Sequence, residues 1–388
     1  MMEHSEIYFD NSATTCCTKQ VADLVMACML EDYGNPSSRH MKGVESEKRV
    51  KTAREQIAAA LHASEKEIYF TSGGTESDNW AIWGSVTAQH RRGNHLITTS
   101  VEHPAILEPM KELERQGYRV TYLPTDEYGR IRIDDLEKAL DDETIFVSIM
   151  SVNNELGTIQ PVEECAKLVK AFDERILFHT DAVQAFGKIP MNTRTGKVDM
   201  ISVSGHKIHA PKGTGFLYIR DGVRINPFMR GGGQQKGMRS GTDNVPGIAG
   251  LGQAAMDICR DIEKQGAYLA SLRDRLRDGL NSMEDVRINT PAEGAAPHIL
   301  NASFAGVRSE VLLHALEDKG IYISAGSACL SNKKQAVSHV LKAVGMNARN
   351  AESAVRFSFG TMNTPGEVDI CLKALNELVP MLRRYTRH

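Results

Sequence analysis

The chain has no surplus of either charge. Its 46 Lys and Arg residues stand against 49 Asp and Glu, a net charge of -3 over 388 residues, so there is no overall basic excess to condense on nucleic acid or an anionic membrane. No apolar run approaches the roughly 18 to 20 residues that span a bilayer. The opening MMEHSEIYFDNSATT has neither the basic start nor the apolar centre of a secretion signal. A cytoplasmic protein without membrane or direct nucleic-acid contact is therefore expected. Repeats, low-complexity tracts and linker-like stretches are also missing, which excludes the disordered and fibrous classes. Cysteines number only seven, at positions 16, 17, 28, 165, 259, 329 and 371, without a C-x-x-C pair. That odd count argues against a disulfide framework or a zinc knuckle and suits a reducing compartment. Most of them read as small buried hydrophobes. Neither a G-x-x-x-x-G-K-[ST] loop nor a G-x-G-x-x-G fingerprint occurs.

What is present is ordinary globular composition, 41% hydrophobic and 24% charged, with length enough for two domains. From about 66 to 220, β-type runs (EIYFTS, HLITTS, RVTYLP, TIFVSIMSV, LFHTDAV, DMISVSG, GFLYIR) alternate with helical patterns such as ESDNWAIWGSVTAQHRRG. Such alternation predicts an α/β domain with a mostly parallel sheet, with ligands bound outside the carboxyl ends of its strands. A turn-rich stretch (222–243) leads into one long helical pattern that ends near Leu280 and reads as a connector. Beyond it, HILNASFAG, GIYISAG and AVRFSFG mixed with amphipathic helices predict a smaller α+β domain.

Three segments offer chemistry. FTSGGTESDN places Ser72, Gly73, Gly74 and Thr75 between a strand and a helix, where unpaired N–H groups and small residues make an anion cradle, or merely a capped turn. ISVSGHKIHAPKG delivers Ser204, His206 and Lys207 from the end of an apolar strand. Lys207 is the candidate imine-forming amine, a role that requires partial deprotonation near neutrality. His206 and His209 lack companions at metal-ligand spacing, so no metal is expected. LFHTDAVQAFGK ends another apolar strand with Asp181 and Gln184. A carboxylate there needs a positive partner, either a structural cation or a protonated pyridine nitrogen.

Together with FDNSATT, YGNPSSRH, EHPAILE, SVNNELGTIQP, GGGQQKGMRSGT, SAGSACLS and RFSFG, these blocks resemble, in order and nearly end to end, the NifS/IscS-type cysteine desulfurases. These are pyridoxal-phosphate enzymes of fold type I within the class V aminotransferases. The resemblance implies a large domain (16–260) with a mostly parallel seven-stranded sheet, and a small domain (1–15 and 261–388). It implies conversion of L-cysteine to L-alanine, the sulfur passing to an enzyme cysteine persulfide and on to an acceptor protein for iron-sulfur cluster assembly or tRNA thiolation.

By that resemblance Lys207 is the Schiff-base lysine, Asp181 the partner of the pyridine nitrogen and Gln184 that of the ring hydroxyl. Gly74, Thr75, Ser204 and His206 match phosphate-binding positions. Thr242 is expected at the cofactor phosphate of a neighbouring subunit, which implies a homodimer with shared active sites. His103 matches the histidine that stacks on the ring and assists proton transfer, while Asn154 and Arg356 match the holders of the substrate, Asn154 being a cofactor-binding position as well and Arg356 a planar fork for the substrate carboxylate. Cys329, in the small and polar run SAGSACLSNKK, matches the sulfur-accepting cysteine of an exposed loop. Leu330, where relatives often carry Ser or Thr, the pair Lys333 and Lys334, and the adjacent Cys16 and Cys17 depart from the family pattern. A transaminase or lyase would not need Cys329, and a non-catalytic scaffold would not need Lys207, Asp181, His103 and Cys329 together.

Overall fold

Chain order sets the layers of this computed structural model, which describes residues 6–325 and 338–385. Strand β1 (Ile7–Tyr8) is followed by helices α1 (Lys19–Leu30) and α2 (Met41–Ala60). Thr18 and His40 cap the two helices, their side chains accepting from the N–H groups of Val21 and Gly43. The seven expected strands come next: β2 (Ile68–Thr71), β3 (His95–Thr99), β4 (Arg119–Leu123), β5 (Thr144–Ser148), β6 (Leu177–Asp181), β7 (Met200–Ser204) and β8 (Gly215–Ile219). They form one sheet in the order β2-β8-β7-β6-β5-β3-β4. Only β8 runs against its neighbours, so the carboxyl ends of the other six lie along one edge.

Period-two alternation divides the core of this sheet. Ile97, Val147, Phe178 and Ile201 pack on one face with residues of α2 and of α6 (Val162–Phe172). Their immediate neighbours Leu96, Phe146, Leu177 and Met200 pack on the other, against α3 (Gly74–Gln89) and α4 (Pro104–Arg115). Both faces are thus covered, as a parallel sheet requires.

The single connector expected from 245 to 280 is in fact two helices, α7 (Val245–Cys259) and α8 (Ile262–Asn281). They are separated at Asp261, whose φ of -133° and ψ of 52° leave the helix. Two burial demands explain the break: α7 packs Leu251, Ala254 and Ala255 into the large core, whereas α8 turns Leu269, Leu272, Leu276 and Leu280 into a second one. That second core is built on the antiparallel sheet β12-β13-β10-β9, with β9 (Val286–Ile288), β10 (Ile299–Phe304), β12 (Ser324–Ala325) and β13 (Ala354–Ser358). β1 joins β11 (Ile321–Tyr322) in parallel, which carries Ile7 and Phe9 into the same core. Among the described residues no helix is long and apolar enough to cross a membrane, and no three His, Cys, Asp or Glu side chains cluster as metal ligands do.

Candidate active site

Lys207 ends a short turn immediately after β7, and its Nζ donates to the carbonyls of Ser12 and Ala13, each at 2.6 Å. Those carbonyls belong to a strap, Asp10–Thr15, that follows Phe9 of the second core. Thr15 N–H donates to the His206 carbonyl at 2.8 Å, and Thr15 Oγ1 accepts from His209 N–H at 2.8 Å. Thr14 Oγ1 lies 3.2 Å from His206 Nδ1. Gln184 also reaches the strap, donating to the Ser12 carbonyl at 2.9 Å, while its Oε1 lies 3.4 Å from His298 Nε2. Sequence reading named FDNSATT only as a matching block; these backbone acceptors carried no side-chain signal that could have identified them.

The N-terminus of α3 lies at the same edge. Gly73 precedes it with φ of +150° and provides no side-chain cap, so the first amides of the helix remain available to an anion. A Cβ on Gly74 would stand 2.7 Å from Val183 Cγ2 and 3.5 Å from Ser204 Cβ, and one on Gly73 would stand 3.6 Å from Ser204 Oγ. The two glycines therefore keep open the space between the helix start and β7, and a phosphate fits this cradle. Thr75 is exposed at its rim and shares a cleft with Asn79, Trp83, His103 and Ala105. His206 has its pKa pushed down to about 4 by burial, then by Lys207 and Lys212, so it meets a ligand as a neutral ring.

Asp181 is buried at the end of β6, accepting from Val183 N–H at 2.8 Å. Burial raises its pKa, with His103, that bond and Lys207 opposing. No salt bridge holds it among the described residues, so it suits the protonated ring nitrogen of the implied cofactor. Two further buried carboxyls, both missed from sequence, lie near it. Glu102 Oε1 accepts from Met150 N–H at 2.8 Å and Thr99 Oγ1 at 3.0 Å, while Oε2 has no partner among the described residues. Its pKa is pushed up to about 8, chiefly by burial. Asp78 on α3 is likewise raised, by burial and then by Asp181. Their signal in the sequence was polarity within apolar surroundings, which became visible only once the elements packed.

His103 caps α4, with Nδ1 accepting from Ala105 N–H at 3.1 Å. In the neutral ring this bond places the proton on Nε2. Loss of hydration lowers its pKa most; Asp181 opposes, and Lys207 and His339 add to the lowering.

Arg356 reaches the site from β13. Its Nη1 donates to the Asn154 carbonyl at 2.8 Å, its Nη2 to Asp10 Oδ1 at 2.8 Å, and its buried Nε has no partner among the described residues. The half-buried Asn154 thus meets Arg356 through its backbone. Thr242 is exposed and makes no hydrogen bond to the α3 cradle among the described residues; its loop is tied down where Arg239 pairs with Glu76 at 2.9 Å. Cys329, Leu330, Lys333 and Lys334 lie outside the described residues. Of the six cysteines described, Cys28, Cys165 and Cys371 are buried, Cys17 and Cys259 are half-buried, and Cys16 is exposed. Burial is thus less general than expected, because the Cys16–Cys17 pair follows the strap at the surface.

The family model for class-V aminotransferases matches residues 7–371. The chain is 45% identical over 381 residues to the cysteine desulfurase IscS of Methanosarcina thermophila, covering 98% of this chain and 94% of that one. A solved NifS-like protein superposes with a TM-score of 0.92 at 41% identity, covering 97% of this chain and all of the other. A structure described as SspA in complex with cysteine superposes with a TM-score of 0.80 at 33% identity, covering 93% of this chain and all of that one.

Proposed function

The chain belongs to the class-V aminotransferase family as a pyridoxal-phosphate-dependent cysteine desulfurase, and from this premise we propose that it passes the sulfur of L-cysteine, through a persulfide on Cys329, to an acceptor protein for iron-sulfur cluster assembly or tRNA thiolation. The supporting observation is the convergence of Lys207, Asp181 and the uncapped start of α3 on one sheet edge. When bound, pyridoxal phosphate supplies an electron sink that stabilises negative charge at the substrate α-carbon. Gly74, Thr75, Ser204 and His206 would hold its phosphate, Asp181 its ring nitrogen, Gln184 its ring hydroxyl, and Lys207 would anchor it covalently.

Arg356 receives the substrate carboxylate beside Asn154. Lys207, oriented by the Ser12 and Ala13 carbonyls, moves the α-proton. His103, with its proton on Nε2, exchanges protons at the substrate's sulfur-bearing end. Cys329 as thiolate takes the sulfur atom, and alanine leaves. An ordinary thiol pKa of about 8.5 leaves only a few per cent thiolate at pH 7, so a nearby base assists. Thr242 of a neighbouring subunit completes the phosphate site in a homodimer.

The test is the ratio of alanine to sulfide formed from L-cysteine with pyridoxal phosphate and a thiol reductant. Equal amounts are expected; pyruvate, or no product, would place the protein among lyases or scaffolds.

A further inference from the structure

The site for the substrate carboxylate already contains a carboxylate. Asp10 Oδ1 takes one N–H of Arg356 Nη2, and the two side chains are only 21% and 10% exposed. A guanidinium so enclosed is costly without a counter-charge, and Asp10 supplies it. The position of Asp10 is fixed independently of this bond. It forms a parallel bridge with Ser358, two residues beyond Arg356, while Asn11 N–H donates to the Ser358 carbonyl at 3.2 Å and Ser12 N–H to Ser358 Oγ at 2.8 Å. Arg356 is left with its buried Nε, which has no hydrogen-bond partner among the described residues, so Asp10 and the Asn154 carbonyl do not use up the donors of the guanidinium.

We propose that Asp10 sets how tightly the desulfurase holds its substrate and product: it is the resident counter-ion of Arg356, it keeps the carboxylate seat neutral before substrate arrives, and it weakens the hold on every amino acid that docks there. This rests on the reading of Arg356 as the substrate's carboxylate receptor. An incoming carboxylate must share the guanidinium with Asp10, so two like charges then face one cation. The product alanine carries the same carboxylate as L-cysteine, and Asp10 therefore promotes its departure as much as it opposes substrate entry.

The experiment compares holoenzyme carrying Asp10, Asp10→Asn and Asp10→Glu. Dissociation constants are measured by calorimetry and cofactor absorbance for L-alanine and for ethylamine, the same amine without its carboxylate. Asp10→Asn is expected to tighten L-alanine on the order of tenfold, to leave ethylamine unchanged, and to lower KM for L-cysteine without raising kcat. Asp10→Glu, which keeps the charge, is expected to bind L-alanine within about twofold of the parent protein. Weaker or unchanged L-alanine binding in Asp10→Asn, an equal change for ethylamine, or tightening in Asp10→Glu as well would overturn the proposal and leave Asp10 as a brace for the strap. Absence of L-alanine binding to the parent holoenzyme would overturn it too. The binding comparison needs no turnover, so failure to form alanine from L-cysteine would count against the desulfurase reading alone.

Discussion

Asp78 Oδ1 and His179 Nε2 face each other at 3.7 Å with both side chains shut off from solvent. His179 sits between the hydroxyls of Ser148 and Ser202, each 2.9 Å away, and burial pushes its pKa down to about 3. It is therefore a neutral ring and gives Asp78 no counter-charge. Asp78 and Glu102 are raised further by the charge of Asp181, whereas Asp181 alone of the three has both His103 and Lys207 lowering its pKa. Negative charge in this buried group is best placed on Asp181, at the strand end where a ring cation would sit, while burial and the charge of Asp181 both work against ionisation of the two deeper carboxyls.

Glu102 provides a test of that distribution through stability. Its folded pKa is about 8 against an ordinary 4.5, so between those values the folded protein keeps a proton that the unfolded chain releases. Stability then falls as pH rises, by up to ~1.4 kcal/mol per pH unit, and levels off above about pH 8. Glu102→Gln preserves the Oε1 acceptor and removes the titration. Urea midpoints of the apoprotein at pH 5, 6.5 and 8 should show the variant gaining on the parent as pH rises. A constant difference across the three would mean that Glu102 ionises like an ordinary carboxyl.

Lys207→Ala is expected to abolish alanine formation and the visible absorption of the lysine-linked cofactor. Cys329→Ser should retain that absorption and lose sulfur transfer. The pair separates anchoring from sulfur acceptance, and parental sulfide release by the serine variant would remove Cys329 from its assigned role.

How much of this was legible in the sequence depended on where each signal resided. The seven strands of the large sheet were read from apolar runs because both faces are buried, and Lys207, Asp181 and Gly74 stood out as polar or small residues at strand ends. β9 (Val286–Ile288) was missed because three residues, none of them fully buried, are too short for periodicity to register. The break at Asp261 was missed because helix-compatible apolar residues run through both the largely buried α7 and the one-sided α8, and only the packing of two separate cores distinguishes them. Asp10, Asp78 and Glu102 could not be assigned from one chain either. Their significance lies in partners more than 40 residues away in sequence, Arg356, His179 and Met150.

Arg239→Ala should loosen the loop that carries Thr242. The Arg239–Glu76 pair is only 18% and 10% exposed. Burial works against ionisation of Glu76, yet its bonds from Arg239 and Ser72 outweigh this and lower its pKa. The pair therefore stabilises the fold above about pH 4.5, and its contribution is lost as pH falls through the depressed value. The variant should lose about 2 kcal/mol at pH 7 and much less near pH 3. Equal losses at both pH values would assign the effect to packing of the arginine stem.

Gly74→Ala tests the cradle by shape alone. The added methyl would stand 2.7 Å from Val183 Cγ2, closer than packed carbon atoms tolerate, and Val183 follows Asp181 in the turn after β6. Either Val183 shifts, which moves the turn that positions Asp181 and Gln184, or the start of α3 retreats from Ser204. Overpacking of this kind costs about 1–3 kcal/mol. Because Gly74 opens the helix whose first amides would face the cofactor phosphate, the loss should appear mainly in cofactor affinity, roughly tenfold or more, with a smaller drop in the melting temperature of the apoprotein. Absorbance titration with pyridoxal phosphate measures the first and thermal melting the second. A variant that binds the cofactor as the parent does while melting several degrees lower would show that Gly74 serves only the packing of α3 on β7, and that the phosphate is held elsewhere.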